Sequence, residues 1–188
     1  EQYFFHVDLP EISDINNFKF KFNQILPSDI SIENCFIVNN DFHARFSAVS
    51  RTYEYRIIQH KSPFLDGYSS LITQDLDVEL MNACALILKN YQDFTSFSKV
   101  QTAVNNFNCH IVSAKWFKMD KQLIFSITAN RFLRNMVRAI VGTMLMVGKK
   151  NIDINDFSNI IEAKNRSEAG PSAPAKGLFL TKVEYPEL

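Results

Sequence analysis

Apolar and polar positions alternate with two different periods along this chain, and the changes of period mark its elements. From Gln2 to Leu9 every second residue is apolar (Tyr3, Phe5, Val7, Leu9), the pattern of a half-buried strand that Pro10 ends. Ser13 or Asp14 can cap a short helix through Gln24, with Phe18, Phe22 and Ile25 at helical spacing and Pro27 closing it. Ile32 to Val38 reads as a strand followed by an Asn-Asn-Asp turn. Period two then runs from Phe42 to Ile58: Phe42, Ala44, Phe46 and Ala48 share one face, and after a break near Ser50 so do Arg51, Tyr53, Tyr55 and Ile57.

Lys61 to Gly67 is a loop, and Asp77 to Asn90 predicts a helix with Leu80, Cys84, Ile87 and Leu88 as its stripe. Cys109–Met119 and Gln122–Ala129 predict a hairpin turning at Met119-Asp120-Lys121, followed by a long helix from about Arg131 to Val147. A shorter helix begins near Asp153, where Asp156 completes a capping arrangement, and runs to about Lys164. Arg166 to Gly177 is a shaped loop, and Leu178 to Tyr185 a last strand. Strands and helices in this order, without βαβ regularity, predict an α+β fold with a largely antiparallel sheet. Residues 1–60 are expected to be the remainder of one subdomain and 61–188 a second one, sharing a continuous sheet and cleft.

Composition narrows the class without naming a function. The 188 residues are 46% hydrophobic and 21% charged, too apolar for disorder. A chain of this length removes roughly 70% of its unfolded surface from water, so its core needs neither disulfide nor metal. Its 3 Cys are widely spaced with no CxxC, which fits a reducing compartment and argues against a structural zinc. No apolar run reaches a membrane-spanning length, and the opening EQYFFHVDLP has no signal-peptide pattern, so a cytoplasmic protein is expected. The 20 Lys and Arg balance 20 Asp and Glu, so any polyanionic partner must be met by a local concentration of charge. The chain opens directly in alternating apolar residues without an initiator Met, and is expected to be the remainder of a longer polypeptide.

Two stretches supply that concentration. Arg131, Arg134 and Arg138 fall at i, i+3 and i+7 of the helix expected from Arg131, a single stripe of guanidiniums with no acid between Arg131 and Lys150. Guanidinium forks suit phosphate or carboxylate oxygens, whereas solvated arginines on an amphipathic helix need no ligand at all. Arg138, beside Ile140 and Val141, is expected to be partly buried and so to require an acid, which the sequence does not identify. In the second stretch Arg45, Arg51 and Arg56 are interleaved with Phe42, Phe46, Tyr53 and Tyr55. Cations beside aromatic rings on a sheet can hold nucleotides; an ordinary amphipathic strand pair reads the same way. His6, His43 and His110 stand singly, and Thr95, Ser96 and Ser98 read as turn or cap hydroxyls.

Four segments resemble the TruA family of tRNA pseudouridine synthases: DFHARFSAVSRTYEYRI from Asp41, DFTSFSK from Asp93, ANRFLRNMVRAIVGTMLMVG from Ala129 and RSEAGPSAPAKGLFLTKVEYP from Arg166. The resemblance implies a pseudouridine synthase fold, α+β with an extended mixed sheet and helices outside it. It implies isomerisation of uridine in the tRNA anticodon stem-loop without cofactor or metal, usually by a homodimer that holds one tRNA across both subunits. By position, Tyr53 matches the tyrosine that stacks on the target base and handles a proton. Arg138 matches the basic partner of the catalytic aspartate, and Arg45, Arg51, Arg131 and Arg134 are placed along the RNA cleft. The family's nucleophilic aspartate stands in a GRTDAGVHA-like segment that nothing here matches, so it is expected upstream of Glu1. The 188 residues alone are then expected to be inactive. The alternative is a non-catalytic RNA-binding module.

Overall fold

The computed structural model describes residues 3–100 and 105–186. Contacts along the backbone divide the chain into a larger unit, from Ala48 onward, and a smaller one, Phe4–Ser47.

The larger unit is built on a five-stranded sheet whose central strand is β1 (Ser50–Ile58). One edge of β1 pairs antiparallel with β4 (Gln122–Ala129) in the register Tyr53 to Ile127 and Tyr55 to Phe125. β4 forms the expected hairpin with β3 (Ile111–Met119) around Asp120, which takes the left-handed φ of 52° that a tight turn asks for. The other edge of β1 is shared: β5 (Leu178–Glu184) lies antiparallel along Ser50–Tyr55, and the two-residue β2 (Ser70–Leu71) lies parallel at Ile57–Ile58. A bulge between Thr52 and Tyr53 shifts the β5 register by one residue.

Period two then sorts the strands. Tyr53, Tyr55 and Ile57 on β1 and Leu123, Phe125 and Ile127 on β4 point to one face, where α2 (Val78–Ile87) and α3 (Met136–Gly148) pack against the sheet and α4 (Ile154–Glu162) packs against those two helices. Tyr55, Phe125, Met136, Ile140 and Phe157 are fully buried between the layers. The starts of α2 and α4 match the sequence. Asp77 caps α2 through Leu80 N–H (3.1 Å), and Asp153 and Asp156 form the expected capping box on α4. The α+β class with a mostly antiparallel sheet is as expected. Among the described residues no helix is long and apolar enough to cross a membrane.

Four elements differ from expectation. Among the described residues of Phe4–Ser47 the only regular element is the helix α1 (Ile15–Ile25), capped by Asp14 as expected. The strands expected over Gln2–Leu9 and Ile32–Val38 are absent over residues 3–9 and 32–38, and Gln2 lies outside the described residues. A strand needs a neighbour's ladder, and here the side-chain amide of Asn23 takes both backbone groups of Ile32 instead (2.9 and 2.7 Å). The strand expected from Phe42 begins only at Ser50. Its first part is closed into turns, with Ser47 N–H donating to the His43 carbonyl (2.8 Å) and His43 N–H to Ser47 Oγ (3.0 Å).

The long helix, finally, begins at Met136 and not at Arg131. The Arg134 carbonyl, which an extended helix would give to Arg138, accepts the N–H of Lys99 instead (3.0 Å). Asn135 stands at φ 69°, a left-handed cap that stops the helix growing backward.

Candidate active site

Tyr53 lies midway along β1, on the helix-bearing face, half buried with its ring edge-on to Phe132 at 5.1 Å. Burial pushes its phenol above the ordinary value of 10.0, against a smaller downward pull from the Arg51 guanidinium, so the hydroxyl is protonated at neutral pH. Two residues on, Tyr55 points to the same face and is fully buried, its hydroxyl donating to the Pro174 carbonyl at 2.8 Å. Burial raises its phenol too, with Ser70 and then the Arg138 guanidinium acting in the opposite sense.

Arg138 occupies the third position of α3, half buried as expected. Its Nε donates to the Ala173 carbonyl at 2.6 Å, and Ala173 N–H returns a bond to the Arg138 carbonyl at 2.9 Å. Ala173 and Pro174 are neighbours in sequence, so Arg138 and Tyr55 are anchored on successive carbonyls of one loop. No carboxylate pairs with Arg138 among the described residues. A half-buried guanidinium in the first turn of a helix, beside the positive end of the helix dipole, is a place where an anion is strongly favoured.

The loop that carries Ala173 is fixed by a set of contacts that sequence reasoning did not find. Arg166 donates from Nη1 to the Ala169 and Gly170 carbonyls (3.2 and 3.1 Å) and from Nη2 to Ser172 Oγ (3.0 Å). Asn135 Nδ2 reaches the same Ser172 hydroxyl at 2.6 Å. Thr143 accepts Gly170 N–H at 3.0 Å while its own hydroxyl donates to the Ala139 carbonyl. The loop presses so closely on α3 that a Cβ at Gly142 would stand 1.8 Å from the Pro171 carbonyl oxygen. Gly170, Pro171 and Pro174 were the available signal, since they mark a shaped loop without saying what it holds.

The other predicted basic residues fall in three places. Arg51 precedes Tyr53 on β1 and donates from Nη1 to the Ala48 and Asn130 carbonyls at 2.8 and 2.7 Å. Arg131 and Arg134 do not form a helical stripe with Arg138. They sit in the turn before Asn135, Arg131 half buried and Arg134 exposed. Arg45 belongs to the smaller unit and to a turn, not a strand, with its guanidinium 5.4 Å from the centre of the Phe46 ring. Of the hydroxyls read as turn groups, Thr95 behaves so, its Oγ1 donating to Asp93 at 2.6 Å, whereas Ser96 makes long-range contacts, its Oγ donating to the Ile160 carbonyl at 2.6 Å and accepting Asn165 N–H at 2.9 Å. Among the described residues no group of three or more metal-ligating side chains gathers.

Comparison with known proteins bears on this geometry. A family model described as tRNA pseudouridine synthase matches residues 91–186, which takes in α3, the Ala173 loop and β5. Relatives named tRNA pseudouridine synthase A include that of Porphyromonas gingivalis, 48% identical over 96% of this chain and 73% of its own length. That of Bacteroides fragilis is 49% identical over 93% of this chain and 69% of its own. Across a wider distance, that of Staphylococcus aureus is 33% identical over 99% of this chain and 70% of its own. The four resembling segments, the α+β architecture and these matches agree: the chain belongs to the TruA family of tRNA pseudouridine synthases.

Proposed function

We propose that this chain isomerises uridine to pseudouridine in the anticodon stem-loop of tRNA, working as a homodimer in the cytoplasm. The reaction breaks the bond between C1′ and N1 of the base and forms one from C1′ to C5. The proton on C5 leaves, and N1 gains one, so the net change is an isomerisation. In this reading the Tyr53 ring stacks on the displaced base, and its protonated hydroxyl takes part in moving that proton. The Arg138 guanidinium pairs with a nucleophilic aspartate carried by a part of the polypeptide preceding residue 1. Arg51, Arg131 and Arg134, with Arg45, hold RNA phosphates.

One observation supports this reading above the rest. Arg138 is half buried on the Tyr53 side of the sheet and held by a backbone carbonyl at 2.6 Å, with no protein carboxylate beside it among the described residues. A guanidinium kept in that state is poised for an anion.

Tyr53→Phe tests the reading, because it keeps the ring and removes the hydroxyl. Whole polypeptide bearing the change should bind a tRNA transcript as the parent does and convert uridine about 10²–10⁴-fold more slowly. Equal turnover would remove the assigned role. A parent polypeptide that binds tRNA but never converts uridine would favour the non-catalytic module.

A further inference from the structure

Between Asp93 and Asp153 the sequence has a single acid, Asp120, against nine Lys and Arg. Part of that excess is gathered by one short segment, residues 130–134. At its start the Asn130 carbonyl accepts Arg51 Nη1 at 2.7 Å, and the Asn130 side-chain oxygen accepts His110 N–H at 2.8 Å. At its end the Arg134 carbonyl accepts Lys99 N–H at 3.0 Å. That backbone bond sets Lys99, 35 positions earlier in sequence, directly beside Arg134. Both side chains are exposed.

Among the described residues some lysines of the larger unit are neutralised by an acid and others, Lys115, Lys118 and Lys121 among them, are not; what sets Lys99 apart is its place beside Arg134. Lys150, Lys164 and Lys176 pair with Asp77, Asp93 and Asp66 at 3.0–3.3 Å, and Lys182 pairs with Glu184. Lys99, Arg131 and Arg134 have no carboxylate partner among the described residues. Like charges held close together by the backbone, and left without acids, repel one another unless a polyanion lies across them. A backbone phosphate suits the pair best. The lysine offers a point charge and the arginine a planar fork, and neither needs a base edge.

We infer that Lys99, acting with Arg134, grips a phosphate of the tRNA, a contact that positions the RNA without reading its sequence. The inference rests on the tRNA reading above and adds a residue to it. The test is equilibrium binding of a tRNA transcript to the whole polypeptide between 50 and 200 mM salt. It compares the parent with Lys99→Ala, Lys99→Gln and Lys99→Arg, and with Lys121→Ala at the exposed hairpin tip as control. Loss of one phosphate contact should flatten the plot of log K against log salt by about 0.7–0.9. The difference between parent and Lys99→Ala should then shrink about threefold across that salt range. Lys99→Gln should behave as Lys99→Ala, Lys99→Arg should restore the slope, and Lys121→Ala should leave it unchanged.

An unaltered slope in Lys99→Ala and Lys99→Gln, with Trp116 fluorescence showing a native fold, overturns the contact. So does an equal flattening in Lys121→Ala, since the effect is then total charge and not place. Weakened binding of polyglutamate, with tRNA binding unaltered, would overturn it in favour of an acidic protein partner. A parent polypeptide that shows no salt-sensitive tRNA binding overturns the tRNA reading itself, a result the other outcomes cannot mimic.

Discussion

Two helices in this protein use the same device in different surroundings. Asn82 on α2 reaches the edge strand β3, donating from Nδ2 to the Trp116 carbonyl (3.1 Å) and accepting Trp116 N–H at Oδ1 (2.8 Å). Asn23 on α1 does the same to Ile32, at 2.9 and 2.7 Å. Trp116, however, already belongs to a sheet; its indole stacks on Phe125 at 4.9 Å and donates to Met144 Sδ at 3.3 Å. α2 buries Met81, Cys84 and Ala85, whereas α1 buries no residue and Ile32 stands outside any strand. In the smaller unit Phe5 is 74% exposed and Ile37 90%. A side-chain amide and an amphipathic pattern can select a conformation. The stability comes from apolar area removed from water, and only one of the two settings provides it.

The sharpest way to break that comparison is to truncate one Phe in each unit. Phe125 is fully buried against Trp116. Phe125→Ala should cost about 3–5 kcal/mol in denaturant unfolding followed by far-UV circular dichroism. Phe22 on α1, 39% exposed and 4.4 Å from the Phe18 ring, should cost less than about 0.5 kcal/mol when changed to Ala. Comparable losses at the two positions would mean that α1 is buried to the same degree as the sheet, and the contrast would fail.

A smaller effect is expected where α3 meets the loop of residues 169–174. Gly142→Ala puts a methyl 1.8 Å from the Pro171 carbonyl, an overlap only a shift of the loop can relieve. We expect about 2–3 kcal/mol of destabilisation, the range of an overpacked core. Because the same loop carries the Ala173 carbonyl that holds Arg138, turnover at saturating tRNA should fall further than stability predicts. Loss of stability with turnover intact would show that the loop does not set the Arg138 geometry.

How far the sequence reveals this structure depends on how local each cause is. The β3–β4 hairpin, the Asp153–Asp156 capping box and the Asp14 and Asp77 caps were all legible, because their signals lie within four residues of the structure they specify. The start of α3 was not. Arg131 to Asn135 continue an apolar helical period, but the Arg134 carbonyl is taken by Lys99, and no window around Arg134 contains that fact. Phe42–Ala48 keeps a strand's alternation while His43 and Ser47 fold the backbone into turns. In the candidate site, family resemblance singled out Tyr53 and Arg138 as candidates, and the half burial of Arg138 was legible in its apolar neighbours. The Ala173 carbonyl, Arg166 and Ser172 were not, since their roles exist only once the loop lies on α3.

The smallest effect discriminates most finely between the two amides. Asn82→Ala and Asn23→Ala each remove two hydrogen bonds to one backbone residue, and each exposes one N–H and one carbonyl. The intrinsic loss is the same in both, about 1–2 kcal/mol. What differs is who inherits the orphaned groups. Trp116 is only 4% exposed and its N–H faces α2 at the sheet edge, so water reaches it poorly and the full loss should register in global stability. Ile32 is only half buried and lies outside any strand, where water can take the amide's place, so Asn23→Ala should leave global unfolding within a few tenths of a kcal/mol of the parent. Its effect should instead be local, a faster amide exchange at Ile32 read by native-state hydrogen exchange. If Ile32 exchange is already unprotected in the parent protein, the Asn23 bonds hold nothing in solution, and the likeness between the two helices is one of geometry alone.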